Sequence, residues 1–221
     1  MNTLIVISVL TGIAQTASAT SMTPATPIVY GAQGPGTALS AFAIGGRAMV
    51  LVAGGVAPIP MVTLDGAWAI SDHVDFEVHG ASVAVFNQVE TGARVRILDT
   101  SSWAMAFRGE AGGWFGLSRD SGVFGAVLFP TVVPGVLISR IDREAVTWTL
   151  GMDVPMIVGK LGVSSVRRHV VAFEHGVMLR PSLTVEVPTA SGEGAVHVRL
   201  ETYAAPNLSA VAPSLSIGYA W

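Results

Sequence analysis

The 221-residue chain contains no cysteine, which excludes disulfides, thiolate metal centres and cysteine nucleophiles together. Charge is scarce as well. Asp, Glu, Lys and Arg make up 12% of the residues, one residue is lysine, the formal net charge is -3, and nothing charged precedes Arg47. So mild a balance gives no basic footprint for nucleic acid and no acidic tail. Although 51% of the residues are hydrophobic, no apolar run after the N-terminal stretch is long enough to cross a bilayer as a helix. Nor is there a phosphate-binding loop, a dinucleotide fingerprint or a metal-ligand cluster, so no cofactor is expected.

What is present is apolar character spread over alternate residues of many short segments. Val62, Leu64, Trp68 and Ile70 alternate with Thr63, Asp65, Ala67 and Ala69, and after the turn Ser71-Asp72-His73 the residues Val74, Phe76 and Val78 alternate with Asp75, Glu77 and His79. This pair is expected to be a hairpin of two amphipathic strands. The pattern recurs from Ala93 to Leu98, Trp103 to Leu117, Val146 to Val154, Leu179 to Val187 and Val196 to Glu201. Between Gly122 and Ser139 it loses its phase at Pro130 and Pro134, leaving one bulged strand or two short ones open.

These segments predict an all-β fold, an antiparallel up-and-down transmembrane β-barrel of about ten strands, with eight or twelve still open. The strands lie near residues 39-52, 59-70, 73-82, 92-99, 102-117, 121-140, 145-158, 165-188, 194-204 and 213-221. An even number places both chain ends on the periplasmic side. Short periplasmic turns then fall at Ser71 to His73, Asp99 to Ser101, Asp142 to Glu144 and Thr189 to Glu193. Longer outward connections fall at Ala53 to Pro58, Val83 to Thr91 and Ala205 to Ala212.

If the apolar faces meet lipid, the intervening residues point inward. They are Asp65, Asp75, Glu77, Arg94, Arg96, Arg108, Glu110, Asp153, Arg180, Glu186, Arg199 and Glu201, with His79 and His197. Interleaved carboxylates and guanidinium forks can fill a narrow lumen by pairing, which closes it, and mixed signs select no ion. The aromatic residues Trp68, Trp103, Trp114, Trp148, Tyr203, Tyr219 and Trp221 suit interfacial girdles. In a soluble β-sandwich, the competing fold, they would be core. Arg119, Lys160, Arg167 and Arg168, set against Glu90 and Asp120, give the outer rim a basic character that would meet lipid phosphates.

The chain closes on Ser214-Leu215-Ser216-Ile217-Gly218-Tyr219-Ala220-Trp221, in which Leu215, Ile217, Tyr219 and Trp221 share one face of a strand. It opens with an apolar core from Leu4 to Ala14 followed by Ala17-Ser18-Ala19, the pattern of a cleavable signal peptide, though no basic residue precedes it. Together with the alternation, these features resemble the small outer-membrane β-barrels of Gram-negative bacteria, the class that includes the OmpA and OmpX membrane domains. The resemblance implies a signal peptide at 1-19, a flexible periplasmic arm at 20-37 and the barrel at 38-221. It also implies the bacterial outer membrane as location, with membrane lipids and lipopolysaccharide as partners. Leu215, Ile217, Tyr219 and Trp221 would be the assembly signal read by the barrel-assembly machinery.

Three classes of function follow: a structural or interaction barrel with a closed, charge-filled lumen; a small porin-like diffusion channel; and a lipid-modifying enzyme. A channel requires the lumen charges to segregate by sign or to line the wall. An enzyme requires a Ser/His or Asp/His pair within hydrogen-bond reach at one rim. The spacing of Ser164, Ser165, His169, Glu174 and His175 matches no catalytic motif, and no catalytic residue or small-molecule ligand is expected.

Overall fold

The computed structural model describes residues 39–42, 44, 48–56, 60–83, 86–120, 123–142, 145–164, 168–171, 176–189, 194–205 and 210–221. The expected signal peptide and arm lie outside them. The described residues form one antiparallel sheet and no helix. Its strands are β1 (Ala48–Val56), β2 (Pro60–Ala69), β3 (Val74–Val83), β4 (Phe86–Asp99), β5 (Trp103–Asp120), β6 (Val123–Ile141) and β7 (Thr147–Asp153). They continue as β8 (Met156–Ile157), β9 (Lys160–Ser164), β10 (Arg168–Val171), β11 (Gly176–Val177), β12 (Arg180–Pro188), β13 (Ala195–Ala205) and β14 (Ala210–Ala220). Ten of them, β1 to β7 and β12 to β14, close into a ring because β1 pairs with β14, with Leu51 opposite Ala220 and Val56 opposite Leu215.

Two adjacent register rows show why the sheet closes. Ile138, Leu150, Leu183, Leu200 and Leu215 are partners from strand to strand, and each is at least 36% exposed. One residue further on, Ser139, Thr149, Thr184, Arg199 and Ser216 make the parallel row, and none is more than 5% exposed. Since side chains alternate across a strand, a slip of one residue would exchange the rows, so the pattern fixes the register. An apolar belt outside and a polar row inside, on ten strands closed into a ring, is the architecture of a barrel that crosses a bilayer.

Several expected boundaries move. The first strand begins at Ala48 rather than 39, because residues 39–42 and 44 are turned into the lumen. The fourth begins at Phe86 rather than 92, since Gln88 and Glu90 continue the inward phase of Arg94 and Arg96. The connection expected at Val83 to Thr91 therefore shrinks to residues 84 and 85.

The segment that loses its phase, by contrast, is one unbroken strand, β6. Its prolines interrupt the neighbour instead. Pro130 and Pro134 have no N–H to give, so the ladder divides into β6 with β7, β8 and β9. The proline carbonyls still accept, from Val158 N–H at 2.9 Å and Val154 N–H at 2.8 Å. For the same reason the strands expected at 145-158 and 165-188 appear in pieces, with β10 on β9, β11 on β8 and β12 on β7.

We call the end carrying the start of β1 and the end of β14 the terminal end, and the other the distal end. With 18 and 19 residues, β5 and β6 greatly exceed the roughly 9–11 needed to cross a bilayer. Their distal parts, joined by β9 and β10, run past the last residues that β4 and β7 pair with them.

Candidate functional site

The lumen holds the chemistry. All twelve expected inward charges are buried, as are His79 and His197, and Glu90, expected at the outer rim, is buried among them at 0% exposure. Eight carboxylates thus share the interior with five arginines.

Nearest the terminal end, Asp75 gathers two guanidinium groups. Arg94 donates to its Oδ2 from Nε at 3.0 Å and Nη2 at 2.8 Å, and Arg96 donates to the same oxygen from Nη1 at 2.7 Å. Arg94 also pairs with Glu77 at 3.2 Å, while Arg96 fastens the β2–β3 turn by donating to the Asp72 carbonyl at 2.6 Å. The three residues meet because β3 and β4 pair in register, Asp75 opposite Arg94.

In the middle, Asp153 takes Arg108 on both carboxylate oxygens and Arg180 Nε at 3.2 Å. Gly135, its register partner on β6, is what admits this arrangement: a Cβ there would collide with the Asp153 carboxylate. Arg180 reaches on to Glu90 and Glu110, each at 3.8 Å, ion-pair distances longer than a direct hydrogen bond. Glu90 is held in turn by Thr131, whose hydroxyl donates to it at 3.1 Å. Arg180 and Glu90 stand on β12 and β4, four places apart in a ring of ten, so this arginine braces opposite walls.

Two smaller groups complete the shaft. Arg199 pairs with Glu201 at 2.9 Å, and the Tyr203 hydroxyl donates to the same carboxylate at 3.2 Å. Asp65 and His79, register partners on β2 and β3, lie 2.5 Å apart. That is the Asp/His pair an enzyme would need, but it sits inside the shaft rather than at a rim. His79 Nε2 has no hydrogen-bond partner among the described residues, so no hydroxyl completes a relay there. Of the rim residues weighed for catalysis, the Ser164 and His169 side chains, together with Ser165, Glu174 and His175, fall outside the described positions.

Beside the charges of the terminal end lies an apolar floor, with Ala67 the register partner of Glu77 and Ala106 that of Arg96. Leu39 and Ile44 pack with Met49, Leu51, Ala67 and Ala220, and Ala41 and Phe42 pack with Ala104, Ala106, Leu137 and Ile141. The first group of wall residues belongs to β1, β2 and β14, the second to β5 and β6. These lie on opposite sides of the ring, so residues 39–42 and 44 reach both sides of the lumen.

The aromatic girdle is smaller than expected. Trp103, Trp148, Tyr219 and Trp221 are exposed on the outer face. Trp114 and Tyr203 instead share the inward phase of Glu110 and Glu201, and their rings meet edge to face across the lumen, centroids 6.4 Å apart. Phe86 joins them at 6.1 Å from Trp114, and the Arg180 guanidinium lies 5.9 Å from the Tyr203 ring. Of the expected basic rim, Lys160 lies over Phe129 at 5.9 Å, and the Arg119, Arg167 and Arg168 side chains are outside the described positions. Leu215, Ile217, Tyr219 and Trp221 form the exposed outward row of the closing strand.

No protein-family model matches the chain, and no curated protein matches it. Among solved structures, the outer membrane protein OprD from Pseudomonas aeruginosa is similar with a TM-score of 0.31 and 9% identity, over 86% of this chain and 73% of that one.

Proposed function

We propose that this chain is an outer-membrane β-barrel protein with a closed lumen, serving as a structural or interaction barrel through its surface rather than as a conduit. Its belt of Leu150, Leu183, Leu200 and Leu215 would meet membrane lipids, and the turns of the terminal end would face the periplasm.

The observation that carries the closed-lumen reading is the Arg180 brace, one guanidinium tied to Asp153, Glu90 and Glu110 from three other strands. Charges of opposite sign that pair across an interior leave no sign-segregated path for an ion, and the side chains that would line a channel are spent on one another. Reconstituted into a planar bilayer, the folded protein should show little steady conductance. Large, stable single-channel steps from the unmutated protein would reverse the reading and put a porin-like diffusion channel in its place. Resistance of the folded protein to SDS until boiled, with recovery in the outer-membrane fraction, tests the location separately.

A further inference from the structure

We infer that residues 39–42 and 44 are a withdrawable stopper, seated in a socket that the barrel wall provides for it, and that its withdrawal opens the terminal end of the lumen while the barrel stays folded. The inference rests on the closed-lumen reading and adds to it the element that can move.

The socket is written into the wall. Ala67, Ala104, Ala106 and Ala220 occupy inward positions where the same strands carry Asp65, Arg108 and Ser216 two or four residues further along. Small side chains there leave a space that the wall does not fill, and Leu39, Ala41, Phe42 and Ile44 fill it at no more than 4% exposure each. The occupant is suited to such a place, since no residue before Arg47 carries a charge and entry strips none of water.

Separability follows from how the segment is held. It belongs to no strand of the sheet. Two of its polar ties run to side chains that have other partners: the Ala41 N–H donates to Ser139 Oγ at 2.7 Å, and Arg94 Nη1 donates to the Ser40 carbonyl. If the segment leaves, Ser139 keeps Thr149 at 2.8 Å, and Arg94 keeps Asp75 and Glu77. Withdrawal therefore orphans neither of these wall groups. The packing of Leu39, Ala41, Phe42 and Ile44 against the wall is apolar contact, which is non-directional and can be broken and remade.

The absence of cysteine makes a direct test available, because Ala41→Cys supplies the only thiol. The folded full-length variant in liposomes is treated with a membrane-impermeant maleimide, quenched, and run without boiling. A stopper that withdraws gives label on molecules that still migrate as the compact, SDS-resistant barrel. Phe42→Ala in the same background should raise the labelling rate by roughly two to three orders of magnitude, the scale of a lost buried phenylalanine, and give brief conductance events absent from the parent. Label confined to molecules that have lost SDS resistance, with and without Phe42→Ala, would overturn the inference and make residues 39–42 and 44 a fixed part of the core. Steady conductance from the unmutated protein is a different failure, of the closed lumen itself, and the labelling result does not depend on it.

Discussion

Along the same strands the lumen is filled in two ways. Ala106 is followed two residues later by Arg108, and Ala67 is preceded by Asp65, so one step of the inward phase separates an apolar floor from an ionic shaft. In the floor the wall contributes alanines beside Met49, Leu51, Leu137 and Ile141, and a segment outside the sheet fills the space the alanines leave. In the shaft the wall contributes both members of every pair. Apolar filling asks only for the right volume, whereas an ion pair asks for a partner at a fixed distance and is costly to leave half made. Closure of the shaft is therefore inseparable from the barrel, and closure of the floor is not.

The sharpest way to break that contrast is in the shaft. Asp153→Ala removes the carboxylate shared by Arg108 and Arg180, leaving two buried guanidinium groups short of a partner. Breaking a buried pair costs on the order of 3–5 kcal/mol. Urea titration of the folded fraction should show that loss in global stability, and an unchanged midpoint would mean that the shaft charges are not coupled. In the floor, Ala106→Leu should act differently. Overpacking a filled site costs about 1–3 kcal/mol when nothing can give way, but a movable stopper gives way, so the urea midpoint should shift little while Ala41→Cys becomes more reactive. A full loss of stability without added reactivity would make the floor as rigid as the shaft.

These differences track what alternation can reveal. Ten ring strands and the burial of residues such as Asp75, Arg94, Arg108 and Asp153 follow from a period of two, because each statement concerns one strand at a time. Glu90 lay within the same rule. Its phase passes through Gly92 to Arg94, and a strand begun two steps earlier would have carried it inside. Residues 39–42 and 44 did not, since they form no strand and their place depends on alanines from β2, β5 and β14 that meet only in the closed ring. Trp114 and Tyr203 were misplaced because an aromatic residue suits a membrane interface and a packed mouth equally well. The divided partner of β6 was signalled by Pro130 and Pro134, but a missing donor acts on the neighbouring strand, which a chain read in order does not identify.

The smallest effects are expected at the seam, where Ser139 serves both regions. Its hydroxyl accepts from the Ala41 N–H of the floor and shares a hydrogen bond with Thr149 of the wall. Thr149→Val keeps the shape and removes only the wall partner, so it should cost about 1 kcal/mol of global stability and leave Ala41→Cys labelling as it was. Ser139→Ala removes both bonds at once, and the Ala41 N–H then stays buried without this acceptor unless the segment leaves. Withdrawal relieves that penalty, so labelling should rise by about tenfold, the equivalent of one lost buried hydrogen bond. The two substitutions delete hydroxyls 2.8 Å apart, which makes a general loosening of the wall an unsuitable explanation for different outcomes. If both raise labelling equally, the floor and the shaft open as one unit and the contrast between them fails.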